Sequence, residues 1–311
     1  MSSVFATGAD ERYGYHLVNL LGSLQAKSDV FDRVVAYDLG LDSQQRALLE
    51  RIPRVEVRTV PPFVEHWRQA FTWKPWIWTH LDAGETVFWL DAGATLVRSL
   101  SPAIAAIAER GYFVVSQGGE LRDIAPPDYL ERFHLPPGAE SREYVAAGII
   151  GFRVGGAFYE RVVVPTYDDC LRGLNLGFSI DEVATKNVGL GRSENPTVRT
   201  CRQFRWDQTL LNLHLAQEFP DRVVAAIDEY AGVSSPIEHA RQVIWAHRRQ
   251  GDLRYLKRIR YSGPGTLRAR LFGLFIELRW RYKLRNKLLR SATYRLKARK
   301  MLTDRRPGIS S

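Results

Sequence analysis

Along the first hundred residues, short runs of β-branched and aromatic residues alternate with stretches whose apolar positions recur every three or four residues. Val4–Thr7, Val34–Tyr37 and Val55–Val60 have the first pattern and read as strands, while Tyr15–Gln25 and Ser43–Arg51 have the second and read as helices. This alternation predicts parallel strands, because a parallel pair needs a crossover long enough to be a helix. Val87–Leu90 is four apolar residues in a row, the composition of a central strand buried on both faces. It stops at Asp91-Ala92-Gly93, so a carboxylate closes a buried strand. Open parallel sheets take ligands beyond the carboxyl ends of their strands, which directs attention to the loops after Val4–Thr7 and Val87–Leu90.

Two further apolar runs, Tyr112–Ser116 and Ala146–Phe152, continue the strand pattern, and the polar, proline-rich Pro126–Ala139 between them is predicted as a loop or lid. Gly173–Cys201 is Gly-rich and polar with little periodicity. Asp207–Ala216 reads as a helix with an acidic first turn, and Val223–Ile227 and Val243–Ala246 as strands, the last ending at His247. From Leu267 the pattern is helical again, with Leu271, Leu274, Phe275, Leu278 and Tyr282 set among Arg268, Arg270, Arg279, Arg281 and Lys283. The reading is an α/β domain over residues 1–250 and a basic amphipathic helical tail over 251–311.

The net charge of +10 changes meaning once it is located. Residues 251–311 carry 18 Lys and Arg against 3 Asp and Glu, which leaves 26 basic and 31 acidic residues for positions 1–250. A basic helix with an apolar stripe suits an anionic lipid surface, so residues 264–303 are expected to rest on a membrane. The competing readings are that the stripe packs on the body or on a second protomer, or that the charge neutralises nucleic-acid phosphates. The acidic body and the lack of a nucleic-acid-binding motif weigh against the last. Cys170 and Cys201 sit in no zinc or redox spacing. Met1–Asp10 lacks the basic start and apolar stretch of a secretory signal, and no apolar run reaches the roughly 18 residues of a bilayer span. The expected location is cytoplasmic, peripheral on the inner face of the cell membrane.

A carboxylate at the end of a central strand can hold a divalent cation or a ribose hydroxyl, or simply cap the strand, and Asp91 is the best single candidate. Four of the eight tryptophans, Trp67, Trp73, Trp76 and Trp78, crowd the segment before it, either as core or as the wall of a cleft. No Gly-x-Gly-x-x-Gly follows the first strand, which argues against a dinucleotide-binding dehydrogenase.

Five segments carry the reading further: Val4-Phe5-Ala6-Thr7 followed by Asp10 and Tyr13; Trp89-Leu90-Asp91-Ala92-Gly93-Ala94; Ala146-Ala147-Gly148-Ile149-Ile150-Gly151-Phe152; Asp207-Gln208 before Leu210-Leu211-Asn212; and Trp245-Ala246-His247 with Gly251. In this order, over about residues 3–250, the chain resembles glycosyltransferases of the GT-A fold, especially family 8 and related bacterial proteins. The resemblance implies a Rossmann-like nucleotide-sugar-binding domain on a mostly parallel mixed sheet. Ala6, Thr7 and Tyr13 would hold the uridine base. Asp91 falls where the family has its Asp-x-Asp motif, and Gly93 stands where the second, metal-binding Asp would be. The implied Mn²⁺ or Mg²⁺ would therefore rest on Asp91 and His247.

Ala147 and Gly148 match the family's Asn-Ala-Gly strand lining the sugar pocket, with Ala146 in place of Asn; small residues for core packing explain the same letters. Asp207 and Gln208 would flank the reacting carbon as catalytic residues, and Asp207 also reads as a helix cap. The family's His-x-x-Gly-x-x-Lys ending is His-x-x-x-Gly here, so Arg248 or Arg249 would take over the diphosphate. Lys74, ahead of the central strand and followed by Pro75, lies where the family presents a cation to the donor; a surface lysine among packed tryptophans is the plain alternative. The resemblance implies a hexosyltransferase-like enzyme using a nucleotide-diphosphate sugar, a UDP-sugar first. The acceptor would be a glycan or lipid-linked saccharide of the cell envelope, and the anomeric configuration would be retained. A degenerate GT-A fold that binds nucleotide or glycan without turnover is the alternative that Gly93 and the missing Asn raise.

Overall fold

The computed structural model of the protein describes residues 2–28, 30–177, 201–226, 230–232, 242–247 and 253–303. In chain order, β1 (Ser3–Ala9), α1 (Gly14–Lys27), β2 (Arg33–Asp38), α2 (Ser43–Leu49), β3 (Val55–Thr59), α3 (Trp73–Thr79) and β4 (Thr86–Leu90) build the parallel half. Next come β5 (Thr95–Leu96), α4 (Ser101–Arg110), β6 (Tyr112–Glu120), α5 (Leu121–Ile124), α6 (Pro127–Arg132), β7 (Glu143–Arg153) and α7 (Val164–Leu171). The rest are α8 (Asp207–Glu218), β8 (Ala231–Gly232), β9 (Ile244–Trp245) and the long α9 (Thr266–Thr303).

The central sheet has the order β3-β2-β1-β4-β7-β6, parallel from β3 through β4, with β7 antiparallel to both its neighbours. This is the expected α/β architecture on a mostly parallel mixed sheet. Side-chain alternation divides the interior into two cores. Phe5 and Phe88 face a layer containing Leu17 and Leu21 of α1, Ile107 of α4 and Ile276 of α9. Val4, Ala6, Val87 and Trp89 face the other layer, with Ile77 and Trp78 of α3 and Leu211 and Leu215 of α8. Helices on both faces explain why β4 is buried at all five positions and reads as an unbroken apolar run.

Two expectations are corrected. Pro126–Ala139 is not loop throughout: Pro127 starts α6, where a proline without an N–H costs nothing, and Tyr129 is fully buried with its hydroxyl donating to the Leu174 carbonyl at 2.8 Å. This segment covers a third core with Leu121, Phe133, Phe204 and Leu213. Val223–Ile227 forms no strand among the described residues; Ala225 makes a single bridge to Val115 in the parallel sense. A short segment can satisfy its backbone at one point without extending a ladder.

The loops that matter are held from outside. Asp42 and Gln45 cap α2 reciprocally, and the Gln45 side chain donates to the Glu11 carbonyl at 2.9 Å. A Cβ on Gly14 would sit 2.2 Å from that amide, so this glycine lets α2 reach and fix the loop after β1. Thr95–Leu96 leaves the main sheet after β4 and pairs with Ile244–Trp245 in a second, three-stranded sheet, which brings residue 247 back to the carboxyl end of the central strands.

Candidate active site

Lys74 is the centre of the site. It sits in the first turn of α3, 4% exposed, and its Nζ lies 3.0 Å from Asp91 Oδ1 and 3.8 Å from Asp207 Oδ2. Its charge also faces the rings of Phe71, Trp73 and Trp89 at 5.2, 5.7 and 6.0 Å, the range in which a cation gains from an aromatic quadrupole. Burial alone would depress the Lys74 pKa; the Asp91 and Asp207 carboxylates reverse the sign and leave it above the ordinary lysine value. The two carboxylates thus favour the charged ammonium of Lys74 against the cost of its burial. Of the four crowded tryptophans, Trp78 is core, Trp76 stacks on His80 at 4.0 Å, and Trp73 belongs to the wall around this charge.

Asp91 follows β4 and keeps about half of its side chain, 49%, open to solvent. The Trp89 indole N–H donates to Oδ1 at 2.9 Å, and the Asp91 amide donates to the Gly148 carbonyl at 2.9 Å. A Cβ at Gly148 would stand 2.7 Å from Asp91 Oδ2. The glycine predicted to clear space for a sugar thus clears space for the carboxylate. Ala147 points the other way and is buried in the α3/α8 core, as is Ala6. Thr7 is fully buried within β1, opposite Ala36 of β2, and its hydroxyl has no hydrogen-bond partner among the described residues. Tyr13 is half-buried at the start of α1, 5.9 Å from the His16 ring.

Asp207 opens α8 at 2% exposure. Burial raises its pKa most and Asp91 adds to the rise, while Lys74 opposes them; the result is about 7. The backbone around these charges is strained. Trp206, just before Asp207, has φ of 53°, and Ala70 and Phe71, just before α3, have 46° and 60°. Such left-handed values at non-glycine residues cost on the order of 1 kcal/mol or more each and persist only where packing over-determines them. Here Asn175 holds the Ala70 carbonyl at 3.1 Å and the Thr72 hydroxyl at 2.7 Å, and Phe71 meets the Trp206 ring at 5.5 Å. Two strained corners thus brace each other and present Lys74 and Asp207 together.

Gln208 spends both amide hydrogens on structure, donating to Val145 O at 2.8 Å and Gln117 Oε1 at 2.6 Å. Asn212, one turn on, exchanges hydrogen bonds with both backbone groups of Val145 at 2.6 and 2.9 Å, and so acts as a surrogate strand for β7. Neither Asn212 nor Gln117 figured among the sequence candidates. An amide four residues after Gln208 on the same helix face was the available signal.

His247 is 3% exposed, and its Nε2 lies 2.8 Å from Thr95 Oγ1. That hydroxyl also accepts from Asn19 at 2.9 Å, and Asn19 in turn accepts the Tyr255 amide at 2.9 Å. Arg248 and Arg249 lie outside the described residues. For a divalent ion, the donor set is poor. Both Asp91 oxygens are engaged by Lys74 and one also by Trp89, His247 Nε2 is engaged by Thr95, and no group of three or more His, Cys, Asp or Glu comes together among the described residues. The described residues do not fit a protein-held Mn²⁺ or Mg²⁺.

No protein-family model and no curated protein matches the chain. Among solved structures it is similar to the apo structure of the bifunctional glycosyltransferase WbbM, with a TM-score of 0.46 and 13% identity over 74% of this chain and 39% of that one. The chain thus spans about two-fifths of WbbM. It is similar to an active-site mutant of LgtC, with a TM-score of 0.39 and 15% identity over 65% of this chain and 83% of that one. The galactosyltransferase LgtC in complex with donor and acceptor sugar analogues gives a TM-score of 0.38 at 15% identity, with the same coverage, 65% and 83%. Likeness at this level assigns no activity to this chain.

Proposed function

We propose that this chain is a glycosyltransferase of GT-A type that takes a sugar from a nucleotide-diphosphate donor, a UDP-sugar first, and passes it to a glycan or lipid-linked saccharide. The observation that carries the reading is the buried ammonium of Lys74, held between Asp91 and Asp207 at the carboxyl end of the central strands. Breaking a bond from a sugar to a diphosphate leaves negative charge on the departing group. A cation already in place, in surroundings that exclude water, lowers that barrier without reorganisation at the moment of reaction. Lys74 supplies such a charge, fixed by two carboxylates and three rings. The half-open Asp91 is placed to accept hydroxyls of the sugar or ribose. The Thr7 hydroxyl, buried within β1 without a hydrogen-bond partner among the described residues, is a polar group that a ligand beside this strand would satisfy.

The test is calorimetric titration of wild type and Asp91→Asn with UDP, with manganese and with a chelator, followed by donor hydrolysis without acceptor. The reading expects UDP binding that survives the chelator, and hydrolysis that Asp91→Asn abolishes while the thermal transition persists. Binding only in the presence of manganese would return Asp91 and His247 to the role of metal ligands. The engagement of Asp91 by Lys74 favours one other reading, a fold that binds donor without turnover. UDP binding with no hydrolysis of any UDP-sugar would select it. No binding of any nucleotide would remove the transferase reading altogether.

A further inference from the structure

The C-terminal helix α9 has two apolar faces, and only one of them is used by the body. Ala269 and Ile276 are buried in the α1/α4 core, with Phe272 and Trp280 packed against it. Gly273 lies so close to the 253–259 segment that a Cβ there would stand 2.6 Å from the Leu256 carbonyl oxygen. Trp280 meets the His16 ring at 4.9 Å, and His16 meets His247 at 5.7 Å. The helix is therefore seated in one orientation, on the side of the body that carries the β5–β9 corner.

The face turned away from the body carries Leu267, Leu271, Phe275, Leu278 and Tyr282, which are 71, 57, 57, 56 and 68% exposed. At about 100° per residue these five fall within an arc of roughly 80°, and the stripe runs for about 22 Å. By the same rotation, Arg268 and Arg279 border one edge of the arc and Arg270 and Arg281 the other, all four exposed. A packed helix normally turns such a stripe inward. Here the inward face is already filled, so five large apolar side chains remain in water between two rows of guanidinium groups.

We infer that this outward face of α9 docks on an anionic lipid bilayer surface, with the stripe entering the acyl boundary and the arginines at headgroup level. Charge complementarity selects this occupant. Residues 251–311 carry 18 Lys and Arg against 3 Asp and Glu, so two copies of this face would repel each other, whereas anionic headgroups neutralise it. No helix among the described residues is long and apolar enough to cross a membrane, so the contact is a surface one.

The experiment is co-sedimentation of the full chain with phosphatidylglycerol–phosphatidylcholine vesicles and with phosphatidylcholine alone, near 150 mM salt. The inference expects binding to the mixed vesicles at least tenfold tighter than to the neutral ones. It expects Phe275→Ser with Leu278→Ser to lose tenfold or more in vesicle affinity at an unchanged thermal transition, since both side chains are exposed. Arg268→Gln with Arg279→Gln, which removes no apolar contact, should weaken binding to mixed vesicles only. Undiminished pelleting of the serine variant overturns the inference. So does equal affinity for both vesicle types, or a solution dimer that ignores vesicles and that the serine variant dissociates, or binding to duplex DNA with no binding to vesicles.

Discussion

Lys74, Asp91 and Asp207 form a cluster of three charges in which two members are almost fully buried, one carboxylate oxygen has no hydrogen-bond partner, and the flanking backbone is strained at three residues. Asn19, Thr95 and His247, gathered at the same end of the sheet, contain no carboxylate or ammonium and are linked by hydrogen bonds of 2.9 and 2.8 Å. The second group ties α1 to the small β5–β9 sheet and, through Tyr255, to the segment leading into α9. Connected hydrogen bonding of this kind stabilises a fold, while an uneven buried charge cluster is tolerated where a ligand completes it. The strain and unmet polar atom of the first group suit a site that a ligand completes, whereas the second group has the connectivity of a structural tie.

The largest expected effect tests the charge cluster. Lys74→Met keeps the length and apolar stem of the side chain but leaves Asp207 and Asp91 without their cation. Removing one partner of a buried ion pair costs about 3–5 kcal/mol, because the other charge stays buried. Urea unfolding at pH 8 should show a loss of that order, and UDP titration at the same pH should show no binding. A loss below about 1 kcal/mol would mean that the cluster is solvated in solution, and the distinction between the two groups would weaken.

A smaller effect tests the same cluster through pH. The folded-state pKa of Asp207, about 7, is raised above its unfolded value, so its contribution to stability is fully present below about pH 4 and is lost as pH rises through 7. Wild type should lose about 2–4 kcal/mol relative to Asp207→Asn over that window, read from urea midpoints at pH 4 and pH 8. Parallel pH profiles for the two proteins would show that Asp207 ionises normally.

Much of this was legible in the chain, and the parts that were not share physical reasons. The parallel half was readable because β1, β2 and β4 are buried runs separated by helices with clear periodicity, and Asp91 announced itself as a charge closing an apolar strand. Lys74 and Asp207 were readable as residue types at element starts, but their pairing with each other is a contact across 133 positions that no local pattern encodes. Positive φ at Ala70, Phe71 and Trp206 is imposed by packing and leaves no mark in residues that do not favour it. At α9 periodicity found the outward stripe of Leu271, Phe275, Leu278 and Tyr282 but not the second apolar face of Ala269, Phe272, Ile276 and Trp280 that seats the helix, because one repeat of three and four hides another a half-turn away. Pro126–Ala139 read as a loop because composition outweighed the one proline placed to start a helix.

The smallest expected effect decides whether the second group is architecture alone. Thr95→Val is nearly isosteric and leaves the Asn19 amide and His247 Nε2, both buried, without their shared partner. Leaving buried polar atoms unmatched costs about 1–3 kcal/mol, so the thermal and urea transitions should fall by that amount. UDP affinity measured with a chelator present should stay within twofold of wild type, because no charge near Lys74 changes. A tenfold loss would place Thr95 and His247 in the donor site. The same variant carries a sharper outcome, since it removes the hydroxyl that engages His247 Nε2. If manganese then strengthens UDP binding in Thr95→Val but not in wild type, the threonine is what keeps His247 from acting as a ligand, and the division between the two groups rests on a single hydroxyl.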